Sequence, residues 1–115
     1  GKSGAEGRGS REPEMITISI HKSKKKVQIS VDGHAHFHPG NDIVCAAVSA
    51  LTFTLMQAVK DHHAEKVLEC QSGKVRMVIR RTPSIDAVAE AIITGYKLIA
   101  KKYPKNVRLC PQTEK

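Results

Sequence analysis

The pattern that most constrains the fold is a strand hairpin followed by a long apolar segment, written twice. Ile16, Ile18 and Ile20 alternate with Thr17 and Ser19, and Val27, Ile29 and Val31 alternate with Gln28 and Ser30. A period of two puts every second side chain on one sheet face, so each run reads as a half-buried strand. Between them lies Lys22-Ser23-Lys24-Lys25-Lys26, a polar run suited to a solvated turn, and the two strands close as an antiparallel hairpin. A second pair, 66–70 and 74–81, flanks Gln71-Ser72-Gly73; Val75, Met77 and Ile79 would face the core, with Arg76 and Arg80 opposite.

After each hairpin the period changes. Residues 43–61 carry Ala46, Ala47, Val48, Ala50, Leu51, Leu55 and Val59, apolar nearly all round at first, which predicts a helix buried on more than one side. Asp42 is its expected N-cap. Thr82-Pro83-Ser84 opens a second helix, with Ile85, Val88, Ala89, Ile92, Tyr96, Ile99 and Tyr103 on one stripe. Lys97, Lys101 and Lys102 crowd its end, where cations suit the helix dipole, and Pro104 stops it. A last short strand, 106–110, carries Val107 and Leu109. The order ββαββαβ predicts an α+β two-layer sandwich: a mainly antiparallel sheet of about five strands with two helices on one face. Residues 1–14 lack apolar content and read as a disordered or vector-derived tail, leaving 15–115 as one domain.

The net charge is +8. Tail charges cancel (Lys2, Arg8 and Arg11 against Glu6, Glu12 and Glu14), so the domain carries the excess. A basic domain suits ribosomal or nucleic-acid surroundings, but two Phe, two Tyr and no Trp are a thin supply of stacking platforms for single strands. No apolar run approaches the ~18 residues of a membrane span, and no leader is expected. An odd set of three cysteines favours a reducing cytoplasm.

Chemistry concentrates in residues 33–47. With Asp42 as N-cap, Cys45 lies three residues into the helix, where free backbone amides favour a thiolate and could help hold an oxyanion. Gly33, Pro39 and Gly40 give turns to a loop that could return His34 to that thiol as general base and acid. On spacing alone a cysteine in an Ala-rich helix is more often a small buried hydrophobe. His34, His36 and His38 with Cys45 also offer nitrogen and sulfur ligands for Zn²⁺, but lack the paired spacing of a zinc motif. The preferred reading has no metal and no cofactor. Cys70 and Cys110 read as core or edge thiols, and His62 and His63 as surface residues at a helix end.

The blocks Gly33-His34-Ala35 and Asp42-Ile43-Val44-Cys45-Ala46 resemble the signature of the bacterial ribosomal-processing cysteine protease family, Prp, and the likeness extends more loosely over about residues 15–110. The resemblance implies a cytoplasmic, homodimeric endopeptidase. It would remove the N-terminal extension of a large-subunit ribosomal protein, cutting between paired aromatics and a small residue; similar motifs in some phage capsid precursors are cut too. It implies Cys45 as nucleophile, His34 as its general base and acid, and Asp42 in support. Gly33, Ala35, Gly40 and Ala46 are the candidate substrate-binding positions. His36, Phe37, His38 and Pro39 depart from the family's Gly-rich, acidic loop, which is about one residue longer. Neither direct nucleic-acid contact nor a membrane is required. The alternative is a noncatalytic basic ribosome- or RNA-binding module working through the lysine turn and the basic helix end.

Overall fold

The computed structural model describes residues 15–33, 43–71 and 73–113. The tail 1–14 therefore lies outside the described residues, as does the segment 34–42. The elements run β1 (Ile16–Lys22), β2 (Lys26–Asp32), α1 (Ile43–Asp61), β3 (Glu65–Gln71), β4 (Lys74–Arg80), α2 (Pro83–Lys102) and β5 (Val107–Thr113). They form a five-stranded sheet in the order β3-β4-β2-β1-β5. The α+β expectation holds, and three of the four strand pairings are antiparallel. The fourth, β1 with β5, is parallel, because α2 carries the chain back across the sheet before β5 enters at its edge. The sheet is thus mixed, and β5 runs three residues beyond the strand expected from sequence. Pro111 is tolerated there because β5 is an edge strand.

Register converts the alternation into a core. Ile18 lies opposite Val31, Ile20 opposite Ile29, Val31 opposite Val75 and Ile29 opposite Met77. All of these side chains are buried. The intervening Thr17, Ser19, Gln28 and Ser30 are half-exposed on the other face. The helices cover one face, α1 touching β3 and α2 touching β5, and they pack on each other.

The lysine turn is short and tied down. Ser23 donates from its amide to the Lys26 carbonyl (2.9 Å), and Arg81 Nη1 reaches the Ser23 carbonyl (2.7 Å) while its Nε bonds Asp86 (3.2 Å). Lys22 pairs with Glu90 of α2. Helix α2 begins as expected: Thr82 caps it by accepting from the Ile85 amide (3.2 Å), and Pro83 stands at the first helical position, where its missing N–H costs nothing.

Helix α1 buries the stripe Cys45, Val48, Thr52, Leu55 and Val59. By length and composition alone it is long and apolar enough to cross a membrane. The sequence expectation that nothing approached such a span is corrected on this point: Ser49, Thr52 and Thr54 interrupt the run without making it hydrophilic. In the fold the stripe is used as core. The opposite side, with Ile43, Ala46, Ala50 and Phe53, is exposed in the single chain, so the expectation of burial on more than one side is met only in part.

Within the stripe sits the core's buried polar residue, Thr52. Its Oγ1 donates to the Val48 carbonyl (2.7 Å) and lies 2.8 Å from the Tyr96 hydroxyl of α2. Since the threonine proton goes to Val48, the tyrosine donates to Thr52. Nearby, a Cβ on Gly95 would stand 2.9 Å from Leu51 Cδ1, so the missing side chain lets α1 and α2 cross closely.

Burial pushes the Tyr96 hydroxyl up to about 12. The folded chain therefore holds this proton more tightly than the unfolded chain, whose tyrosine titrates near 10.0. The contribution to stability is complete below pH 10 and is lost as pH rises from about 10 through about 12, amounting to about 2–3 kcal/mol. In urea titrations, Tyr96→Phe is expected to remove this alkaline loss relative to wild type. At pH 7, Thr52→Val is expected to cost about 1–3 kcal/mol, because it strands the buried tyrosine donor. Tyr96→Phe should cost less, because Thr52 keeps its bond to Val48. The reverse order would contradict the assigned donor direction.

Candidate active site

Strand β2 delivers the chain to Gly33, the last described residue before the histidine-bearing segment. Gly33 has φ +102°, a conformation that L side chains rarely adopt. Its amide donates to the Gly73 carbonyl in the β3–β4 turn (2.8 Å). A Cβ there would lie 2.4 Å from the Met15 carbonyl oxygen. The start of β1 in turn donates from the Ile16 amide to the Asn106 carbonyl (2.8 Å). Three chain segments therefore fix the point from which His34 departs. Sequence reading placed Gly33 among the substrate-binding positions; the packing gives it a structural reason of its own, the left-handed backbone against Met15.

Helix α1 receives the chain at Ile43. Cys45 is its third residue and belongs to the inward stripe, with 2% of its surface exposed. Position and burial have one cause. Counting back from Thr52 by seven residues, about two helical turns, returns to the same face, so the packing that buries Thr52 also buries Cys45. In the first turn of any helix the amides lack intrahelical acceptors, and the summed peptide dipoles place partial positive charge there. Cys45 is held in that turn. Ala46, the next residue, is exposed.

The other site residues read from sequence, His34, Ala35, Gly40 and Asp42, lie outside the described residues, as do His36, Phe37, His38 and Pro39. Among the described residues no group of three His, Cys, Asp or Glu side chains could hold a metal ion. The zinc reading rested on His34, His36 and His38, which fall outside that set. Cys70 is exposed on edge strand β3 and Cys110 half-buried on β5, with no disulfide at any of the three cysteines. Two depressions open on the sheet face away from the helices: about 180 Å³ lined by Glu69, Gln71, Lys74 and Arg76, and about 230 Å³ lined by Ser19, His21, Gln28 and Ser30. Both lie across the sheet from Cys45. What sequence reading missed was the support of the thiol. Tyr96 was assigned to an apolar stripe, and only Thr52, a lone hydroxyl at the i+7 position from Cys45, hinted at its partner.

A thiol held in the first turn of a core helix, within a small α+β sandwich, is an arrangement suited to thiol-dependent hydrolysis. The chain belongs to the cysteine protease Prp family, whose model matches residues 15–108. The ribosomal processing cysteine protease Prp of Staphylococcus aureus is 28% identical over 103 residues, covering 83% of this chain and 97% of the relative. The structure of that protease in complex with a substrate peptide superposes with a TM-score of 0.69 at 26% identity, covering 85% of this chain and 100% of the other. The same protease with a covalently linked product peptide gives 0.72 at the same identity and coverage. The crystal structure of SMU.848 from Streptococcus mutans gives 0.70 at 26% identity, covering 88% of this chain and 97% of that one. The protein is thus a cysteine protease by family, and its mixed five-stranded sheet with two helices is the fold of its solved relatives.

Gly33 offers a direct check on how the site is held. Gly33→Ala is expected to lower stability by about 1–3 kcal/mol, since a left-handed backbone and a carbonyl oxygen both oppose the new methyl group. Denaturant titration against Gly73→Ala, a second glycine with positive φ (80°), separates the Met15 contact from the cost of the left-handed backbone. Equal losses in the two variants would contradict it.

Proposed function

We propose that the chain is the endopeptidase that removes the N-terminal extension of a large-subunit ribosomal protein precursor. In this reading Cys45 is the nucleophile, His34 its general base and acid, and Asp42 a supporting group. The observation that carries it is the position of Cys45 in the first turn of α1, within a family of cysteine proteases one of whose solved members holds a covalently linked product peptide.

The chemistry follows from that position. A peptide lies along the start of α1, its aromatic side chains toward apolar surface and Gly33, Ala35, Gly40 and Ala46 against its backbone. Helix-start amides favour negative charge on Cys45 Sγ, and the thiolate attacks the carbonyl that follows the second aromatic. The same amides favour the oxyanion that forms. His34 has taken the thiol proton and returns it to the leaving amine, so the C–N bond breaks and an acyl-enzyme remains. Water then attacks the thioester, releasing the carboxylate product and the free thiol.

The active form in this reading is a cytoplasmic homodimer. The exposed apolar residues Ala50 and Phe53 further along α1 support a partner surface, and three cysteines outside any disulfide support a reducing compartment. Sedimentation at micromolar concentration should give twice the 12.6 kDa chain mass.

The deciding experiment is incubation with a peptide carrying a Phe-Phe-Ala junction, followed by mass spectrometry. Wild type should cut between the second Phe and Ala. Cys45→Ala should show no cleavage, and His34→Ala should be slower by about 10²–10⁴-fold. Cleavage that survives Cys45→Ala would overturn the nucleophile, and an intact peptide with wild type across pH 6–8 would count against the substrate.

A further inference from the structure

From residue 91 to residue 113 the chain contains no Asp or Glu and five basic residues: Lys97, Lys101, Lys102, Lys105 and Arg108. All five are exposed, and none forms an ion pair among the described residues. They surround the junction of α2 and β5, the four lysines on the helix and the turn after it and Arg108 beside Thr17 on the sheet face away from the helices. Lys97 and Lys101 stand one helical turn apart on α2, Lys102 ends the helix, Lys105 lies in the following turn and Arg108 near the start of β5. That turn is held by the Asn106 amide to the Tyr103 carbonyl (2.9 Å) and the Val107 amide to the same carbonyl (3.0 Å).

The helix dipole accounts for only part of this cluster. Lys101 and Lys102 lie in the last turn, where the partial negative charge of free carbonyls is felt. Lys97 is a turn further back, and Lys105 and Arg108 are beyond the helix. Five like charges around one junction repel one another, and nothing within the described chain relieves them. Elsewhere acidic residues lie among the basic ones, and three pairs form among the described residues: Lys22 with Glu90, Arg76 with Glu69 and Arg81 with Asp86.

We infer that this junction is a binding surface for the phosphate backbone of RNA. The charge calls for a polyanion, and the surroundings choose among polyanions. Thr94, Tyr103 and Asn106 interleave polar groups with the cations, whereas Leu98 is the one large apolar side chain well exposed among them, too little for a membrane-inserting face. With no aromatic platform beyond Tyr103, the contact is to phosphates and carries little sequence preference. The junction also adjoins the active-site approach. The Asn106 carbonyl accepts from the Ile16 amide, and the Met15 carbonyl packs on Gly33, so RNA held here runs beside the strand end from which His34 departs. The inference stands independently of which peptide the enzyme cuts.

The test is fluorescence anisotropy with a short labelled RNA of mixed sequence between about 50 and 200 mM salt. Lys97→Gln/Lys105→Gln/Arg108→Gln removes three charges while keeping the two lysines that serve the dipole. It is expected to weaken RNA binding at least tenfold and to make the log–log salt slope shallower by about 2. Cleavage of the Phe-Phe-Ala peptide should be unchanged. Lys24→Gln/Lys25→Gln/Lys26→Gln removes the same charge at the lysine turn and should leave affinity within about twofold of wild type. Equal losses in the two triple variants would overturn the proposal, because net charge rather than this junction would then be responsible. So would an unchanged affinity in the first variant. Tighter binding of polyglutamate or of phosphatidylserine vesicles than of RNA, with the same dependence on these residues, would overturn RNA as the partner.

Discussion

The hydrogen bond between Thr52 and Tyr96 fixes how α1 sits on α2, and the placement of the thiol depends on it. A helix packed only through apolar side chains can slide or roll with little loss, since dispersion and burial are not directional. A buried hydroxyl pair is directional: one partner must stay within reach of the other or be left unsatisfied. Thr52 ties α1 to Tyr96 at 2.8 Å, and Gly95 lets Leu51 approach at the same crossing. Two turns toward the N-terminus the same face carries Cys45. The thiol at the start of the helix therefore inherits its position from a polar contact in the middle of it.

The second anchor is at the end of β2. Gly33 leaves β2 in a left-handed conformation against the Met15 carbonyl, with its amide bound to Gly73. Gly33 and Ile43, on either side of residues 34–42, are thus held by strand packing and by helix packing respectively. The proposed dyad requires such an arrangement, since hydrogen-bond reach between an imidazole and a thiol is a matter of a few tenths of an ångström.

Much of this was legible in the sequence where a single periodicity ruled. Ile16 to Ile20 and Val27 to Val31 alternate without exception, so strands, hairpin and buried face could all be read from them. Thr82, Pro83 and the stripe from Ile85 to Tyr96 likewise announced α2. The parallel partnership of β1 and β5 could not be read, because strand order is set by where α2 crosses the sheet and not by residues within β5. The full reach of β5 was hidden by Pro111, which ordinarily ends a strand but is harmless at an edge. At the site, the position of Cys45 in the helix was legible from the change of period at Ile43. Its support was not: Thr52 and Tyr96 are 44 residues apart, and only the fold brings them together.

The central claim is that Cys45, buried at the start of α1, is the thiol that forms the acyl-enzyme. The most direct measurement is affinity labelling with a Phe-Phe chloromethyl ketone, read by intact-mass spectrometry and peptide mapping. The account predicts one adduct per chain on Cys45, with Cys70 unmodified although it is the more exposed thiol, and loss of that adduct when His34 is replaced by Ala. Labelling that follows exposure, on Cys70 first with Cys45 untouched, would contradict it.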